Sequence, residues 1–153
     1  MRESRAMTIL PRKQVDEDLY RVMRTVFHYE RSLENQFGLG YEEIYVLQYL
    51  RRHPQVHLNE VSHELELPMF KCSRLVTRLV EKKLVSKSQD AVDRRGIQIV
   101  LLPAGEKIVS SIEEYSFNRV SQNVCKMEPE ETAKVLQMIE KLDCWLGVSD
   151  KIK

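Results

Sequence analysis

The stretch Leu58–Leu102 reads LNEVSHELELPMFKCSRLVTRLVEKKLVSKSQDAVDRRGIQIVLL and decides the fold. Apolar residues at three- and four-residue steps from Leu58 predict a short amphipathic helix that ends near Glu66. Pro68 cannot continue that helix but suits the first turn of a new one, which we expect over Met69–Lys83. The pattern therefore predicts two helices joined by a short turn.

The second predicted helix has one apolar face and one basic face. Its buried face consists of apolar residues at helical spacing, namely Cys72, Leu75, Val76 and Leu79. In a helix-turn-helix unit the second helix enters the major groove of DNA, whereas the alternative reading is a face that is merely solvated. We expect DNA contacts from the opposite face, at Met69, Phe70, Lys71, Ser73, Arg74, Thr77 and Arg78.

After this helix the apolar period changes from about 3.6 towards about 2 residues, which is typical of strands. We expect two short strands, at residues 84–87 and 97–101, joined as a hairpin by the loop SQDAVDRRG. The loop contains the turn formers Asp90, Asp93 and Gly96. The sequence therefore predicts a β-hairpin directly behind the basic helix.

The predicted hairpin projects two adjacent arginines, Arg94 and Arg95, into solvent. Arginine on a narrow β-ribbon suits the DNA minor groove, where negative potential attracts a guanidinium. Asp93 lies two residues before Arg95 and could hold its guanidinium in a fixed pose. Asp93, Arg94 and Arg95 are therefore the second expected group of DNA-binding residues, although both arginines could be ordinary solvated charge.

These residues resemble the multiple antibiotic resistance regulator (MarR) family of winged helix-turn-helix transcription factors. The similarity runs without a gap from Val61 to Gly105, and its most specific part is the D-x-R of Asp93 and Arg95 before an apolar strand. The resemblance implies a mainly α fold with a small β-hairpin wing and with N- and C-terminal dimerisation helices.

The sequence departs from the family pattern at several positions. Glu66 and Lys83 stand where the family has glycine, and Leu102 stands where a threonine or serine caps the next helix. Pro68, Met69 and Phe70 replace small hydroxyl residues at the start of the recognition helix. The apolar pair among them could contact a thymine methyl group or pack on the neighbouring helix.

Long amphipathic helices are predicted on both sides of this unit. We expect a single MarR-type domain over residues 1–153, with a winged core at 41–102 and dimerisation helices at 11–37 and 103–147. A winged unit of about 65 residues cannot cover such apolar stripes, so a second copy should do so. A twofold homodimer in turn predicts a palindromic operator with half-sites about one DNA turn apart.

Composition and charge agree with a soluble DNA-binding protein. The formal net charge is only +1, but residues 71–95 contain eight Lys or Arg against three Asp or Glu. From residue 126 onward the count is five against six, so positive charge is concentrated on the predicted DNA-binding surface. We see no signal peptide or membrane span and expect a cytoplasmic protein.

Tyr41, Tyr45 and Tyr49 recur every four residues and share one side of a predicted helix. They could line a cleft in which, as the resemblance implies, a small phenolic or other aromatic effector binds and shifts the dimer away from its DNA-binding form. The alternative is structural packing, the more common role of an aromatic stripe.

Other chemistry is weakly represented. A redox-responsive regulator acting through Cys72, Cys125 or Cys144 is an alternative, but no cysteine lies in the N-terminal helix where some relatives have one. The three histidines at positions 53, 57 and 63 do not have zinc-site spacing, so we expect no metal or other cofactor.

The sequence therefore predicts a homodimeric DNA-binding protein with a palindromic operator, and the resemblance implies a repressor that is released by a small effector. No phosphate-binding glycine loop, placed nucleophile or carboxylate pair indicates an enzyme. The remaining alternative is a winged-helix module that binds a protein partner and not DNA.

Overall fold

The computed structural model describes residues 10–93 and 96–148, which fall within two compact units bounded as Met1–Val109 and Ser110–Lys153. These residues form the predicted mainly α fold with a small sheet. The elements in chain order are α1 (Arg12–Phe37), α2 (Tyr41–Arg52), β1 (Val56–His57), α3 (Leu58–Glu64), α4 (Met69–Glu81), β2 (Val85–Gln89), β3 (Ile97–Leu101), α5 (Pro103–Val124) and α6 (Pro129–Leu146).

The sheet has three antiparallel strands with β3 in the centre. The predicted hairpin pairs β2 with β3 in a register that places Val85 opposite Leu101. On its other edge β3 pairs with β1, where Val56 lies opposite Ile99. Strand β1 was not predicted, because two residues are too few to show an alternating pattern. The extra strand ties the wing to the start of α3.

The helix-turn-helix has the buried face that its periodicity predicted. Cys72, Leu75, Val76 and Leu79 of α4 are buried, as is Val61 of α3. Two boundaries were wrong by two residues, because α3 ends at Glu64 and α4 at Glu81. Pro68 lies just before the first residue of α4 and not in its first turn. Burial of these residues against the sheet and α2 fixes the direction in which α4 presents its other face.

Glu66 and Lys83, the two positions at which the family has glycine, both have left-handed backbone conformations, with φ of 52° and 58°. An L side chain in this region costs roughly 1–2 kcal/mol relative to the right-handed form. Local bonds hold the first turn in place, since the Ser62 hydroxyl donates to the Leu67 carbonyl at 2.7 Å and the Leu67 amide to the Ser62 carbonyl at 3.1 Å. The fold is therefore the same without glycine at these two positions, but the backbone of both residues is strained.

Helix α1 of the first unit and helix α6 of the second unit expose apolar side chains in the single chain. Met23 is 71% exposed in α1, and Ile139 is 60% exposed in α6. Leu33 is the buried apolar residue of α1, and α6 has no buried residue. Other large apolar side chains exposed on these two helices are Tyr20, Val26, Phe27, Tyr29, Val135, Leu136, Met138, Trp145 and Leu146.

Among the residues that the structure describes, we find no helix that combines the length and the apolar character needed to span a membrane.

Candidate nucleic-acid interface

Helix α4 presents a mixed basic and apolar face to solvent. Lys71 and Arg74 are exposed, and Ser73 and Thr77 are half-buried. Met69 and Phe70 at its N-terminal end are 47% and 60% exposed. Each therefore leaves about half or more of its side chain open to solvent, and contact with a thymine methyl group stays a prediction. Arginine and lysine can bind phosphate or the guanine edge, and apolar side chains can contact a thymine methyl group.

Arg78 lies on α4 and Lys82 directly follows it, but both are bound to a carboxylate of α2. The Arg78 Nε donates to Glu43 Oε1 at 3.2 Å, and the Lys82 Nζ donates to Glu43 Oε2 at 2.8 Å. Glu43 is 4% exposed and also accepts a bond from the Gly40 amide at 3.0 Å. The predicted DNA-binding residue Arg78 is thus engaged within the protein, and the cluster connects α4 to the start of α2.

The pKa of Glu43 reflects this cluster. Burial raises the pKa, but hydrogen bonds from Lys82, from the Gly40 amide and from Arg78 outweigh it, so the pKa lies below its ordinary value. Glu43 therefore remains a carboxylate at neutral pH. Sequence reasoning missed this residue, because a glutamate on the first turn of a helix looks like an ordinary capping residue.

The wing begins with a strand that contacts α4. Lys87 of β2 donates from Nζ to the Thr77 Oγ1 of α4 at 3.3 Å. Thr77 was predicted to contact DNA, and in the structure it also accepts this bond from the wing. The bond joins the two elements predicted to bind DNA.

The turn of the wing closes as its turn formers predicted. The Asp90 amide donates to the Gly96 carbonyl at 2.8 Å, and the Gly96 amide donates to the Asp93 carbonyl at 2.9 Å. Arg94 and Arg95, and with them the predicted pairing of Arg95 with Asp93, lie outside the described residues. In the described part of the turn, Gly96 is therefore hydrogen-bonded to both Asp90 and Asp93.

His57 occupies a place that the sequence did not indicate. It ends β1, precedes α3 and is half-buried. Its Nε2 is 2.5 Å from Asp90 Oδ2, and its Nδ1 is 3.3 Å from Glu60 Oε2. The hydrogen bond with Asp90 raises the pKa of His57, burial lowers it, and Glu60 raises it further, with a net rise. No local pattern reveals a contact between residues 33 positions apart.

Tyr41 and Tyr49 of α2 are half-buried, Tyr45 is exposed, and the side chains of Tyr45 and Tyr49 have defined partners. The Tyr45 hydroxyl donates to Glu64 Oε1 of α3 at 2.6 Å, which raises the pKa of Tyr45 to about 12. The Tyr49 ring stacks on His53 with 4.3 Å between ring centroids. Burial raises the pKa of Tyr41 and also that of Tyr49. These tyrosines are therefore neutral at physiological pH.

The cysteines differ in accessibility. Cys72 is fully buried, its Sγ lies 3.8 Å from the Leu58 carbonyl oxygen, and burial raises the pKa of its thiol. A buried thiol with a raised pKa is a poor nucleophile, so Cys72 does not have the properties of a redox sensor. Cys125 and Cys144 are exposed and free. Within residues 10–93 and 96–148 no group of three His, Cys, Asp or Glu side chains has an arrangement that could hold a metal ion.

The chain is similar in sequence to curated bacterial regulators. It is 26% identical over 98 residues to the uncharacterized HTH-type transcriptional regulator YsmB of Bacillus subtilis, and this alignment covers 64% of this chain and 67% of YsmB. It is 26% identical over 107 residues to the HTH-type transcriptional regulator SarR of Staphylococcus aureus, which covers 66% of this chain and 93% of SarR. No protein-family model matches the chain.

Solved structures share the fold over most of the chain. A MarR family protein from Bacillus stearothermophilus superposes with a TM-score of 0.75 at 18% identity, covering 90% of this chain and 99% of that one. FabT of Streptococcus pneumoniae in complex with DNA gives a TM-score of 0.74 at 19% identity, covering 90% and 98%. MepR of S. aureus gives 0.71 at 23% identity, covering 90% and 99%. The resemblance to MarR family structures is confirmed in the fold.

Proposed function

We propose that this chain, which has the winged helix-turn-helix fold of MarR family structures, is a sequence-specific DNA-binding regulator of transcription. The observation that carries the proposal is the exposed face of α4, where Lys71 and Arg74 lie beside the exposed side chains of Met69 and Phe70. A recognition helix needs cations for phosphate and base edges and tolerates apolar side chains that contact thymine methyl groups. FabT, a structure with the same fold, was solved in complex with DNA.

We further propose that the regulator acts as a homodimer on a palindromic operator. The exposed apolar side chains of α1 and α6 support this proposal, because such stripes are normally covered in a stable assembly. In the dimer the whole chain would act as one MarR-type domain, with the winged core at 41–102 and dimerisation helices at 11–37 and 103–147. Twofold symmetry would place two copies of α4 about one turn of DNA apart.

The proposed regulator is a repressor in the cytoplasm, released by a small aromatic effector, and has no enzymatic activity. The partly exposed Tyr45 and the stacked Tyr49 support an effector surface on α2, since aromatic side chains suit an aromatic ligand. To release DNA, the ligand must bind the inactive form more tightly than the DNA-binding form. Differential affinity is thus the property that identifies an effector.

Two other functions make different predictions. A redox-responsive regulator would have to use the exposed Cys125 or Cys144, and its operator affinity would change with hydroperoxide. A winged-helix module for a protein partner would bind DNA weakly. The salt dependence of DNA binding separates it from our proposal, because a protein that neutralises phosphates loses affinity steeply as salt rises.

The test of the proposed function is the replacement Arg74→Ala. We expect operator affinity to fall by at least about tenfold and the preference between related sequences to weaken, because an exposed recognition-helix arginine can bind base edges. If Arg74 also neutralises a phosphate, the slope of log affinity against log salt should become shallower by about one. Fluorescence anisotropy with labelled duplexes over a salt series measures both effects.

Arg52→Ala provides the matched control, because Arg52 is an exposed arginine on α2, outside the predicted DNA-binding residues and outside the proposed dimerisation helices. The control should bind DNA like the parent chain and show the same salt slope. If Arg74→Ala binds every duplex as the control does, α4 is not the recognition helix and the proposal fails.

A further inference from the structure

A histidine and two acidic residues join the wing to the first helix of the helix-turn-helix. His57 ends β1 and lies at the start of α3, and its Nε2 is 2.5 Å from Asp90 Oδ2 in the wing turn. On the other side of the ring, Nδ1 is 3.3 Å from Glu60 Oε2. The same Glu60 oxygen accepts the His57 amide at 2.8 Å. The imidazole therefore bridges two carboxylates that belong to different elements.

Asp90 uses its two oxygens for different purposes. Oδ2 pairs with His57, whereas Oδ1 accepts the amides of Val92 at 2.8 Å and Asp93 at 3.3 Å. The second pair of bonds folds the chain at the point where β2 ends and the turn begins. One side chain thus fixes the local shape of the turn and also anchors the turn to α3.

The ring of His57 also packs closely against the far side of the turn. A Cβ atom on Gly96 would lie 3.0 Å from His57 Cδ2 and 3.5 Å from Asp90 Cβ. The Gly96 carbonyl and amide close the turn through Asp90 and Asp93. His57 therefore contacts the turn both where it starts, at Asp90, and where it ends, at Gly96.

We propose that His57 is a positioning residue that holds the wing at a fixed angle to the recognition unit through its bond with Asp90, and that DNA affinity depends on this bond. The inference rests on the proposed DNA-binding function. A wing and a recognition helix that engage neighbouring grooves must have a fixed relative orientation, because a misplaced wing cannot reach its groove while the helix occupies the other. His57 itself need not touch DNA.

The bond should be stronger when His57 is protonated. Among the described residues, the charged groups that face the imidazole are Asp90 and Glu60. Asp93 lies with them and with His57 around one surface pocket of about 700 Å³. A cationic ring donates to both neighbouring carboxylates, whereas a neutral ring has an acceptor nitrogen opposite one of them. Since these carboxylates raise the pKa of His57, the stabilisation is complete below pH 6.5 and is lost as pH rises through the folded-state pKa.

The replacement His57→Phe tests the inference, because phenylalanine keeps a ring above Gly96 and removes both nitrogens. With the full-length chain and a duplex selected by the parent protein from random DNA, we expect affinity at pH 6 to fall by at least about fivefold. The parent chain should lose affinity between pH 6 and pH 8.5 more steeply than the variant. His57→Gln, which can still donate to Asp90, should restore affinity but not the pH dependence.

Hydrogen exchange provides a readout that does not require DNA. The amides of Val92, Asp93 and Gly96 should exchange faster in His57→Phe and at normal rates in the control His63→Gln, an exposed histidine of α3. If wing amides and DNA affinity are unchanged in His57→Phe, the inference is wrong. If these amides exchange faster in His57→Phe but neither the parent chain nor the variant binds DNA, the positioning role stands and the proposed function fails.

Discussion

Replacing Gly105 by alanine should destabilise the protein by about 3 kcal/mol, the upper end of the usual cost of overpacking, because a clash with backbone leaves little room for relaxation. A Cβ atom at this position would lie 2.2 Å from the Leu84 carbonyl oxygen and 2.5 Å from Leu101 Cδ1. The Leu84 carbonyl cannot simply move, since it accepts the Leu102 amide at 3.0 Å. Urea unfolding followed by circular dichroism, at fixed protein concentration, measures the loss.

Gly40→Ala is the matched control for this experiment. Gly40 has φ of −65°, and an added Cβ would meet nothing nearer than Glu43 Oε2 at 3.9 Å. Its replacement should cost less than about 1 kcal/mol, the ordinary effect of a change at a helix N-cap. Equal free energies of unfolding for the two variants would contradict the close packing of α5 against the loop before β2.

The second large effect is expected at the buried carboxylate of α2. Glu43→Ala should lower the free energy of unfolding by about 2–3 kcal/mol. The variant loses the bonds from Arg78, Lys82 and the Gly40 amide. The loss should stay below the larger values known for fully buried pairs, because both cations are partly exposed and can turn to water. Urea unfolding at pH 7 provides the measurement.

The pH dependence of this effect follows from the lowered pKa of Glu43. The unfolded chain takes up the proton first, near the ordinary value of 4.5, so the stabilisation is present above that pH and is lost as pH falls through the folded-state pKa. The difference in stability between the parent chain and Glu43→Ala should therefore shrink below pH 4.5. Glu42→Ala, an exposed neighbour on the same helix, should change little at any pH. If the difference in stability between the parent chain and Glu43→Ala grew below pH 4.5, the lowered pKa of Glu43 would be refuted.

The sequence predicted the helices and the hairpin because these depend on local information. Apolar spacing predicted the buried face of α4 and a first helix that ends at residue 37, where Gly38 follows in the left-handed conformation. The change of period after Lys83 predicted the strands of the wing. These features need only neighbouring residues, so one sequence is enough to find them.

The contacts that organise the candidate site could not be found in the same way. Glu43 reaches Arg78 across 35 residues, and His57 reaches Asp90 across 33. Each contact depends on tertiary packing that no period in the sequence encodes. For the same reason Arg78 was predicted to be available to DNA, although its Nε is bound by a carboxylate from another helix. The sequence shows which side chains are acidic, basic or titratable, but it does not show which of them contact each other.

The central claim is that two copies of one chain present α4 to duplex DNA with twofold symmetry. Selection of bound fragments from random duplex DNA by the full-length protein, at moderate salt and with competitor present, tests it most directly. We predict enrichment of an inverted repeat whose half-sites are centred about 10 base pairs apart. No enrichment over competitor, or a single motif without its inverted copy, would contradict the claim.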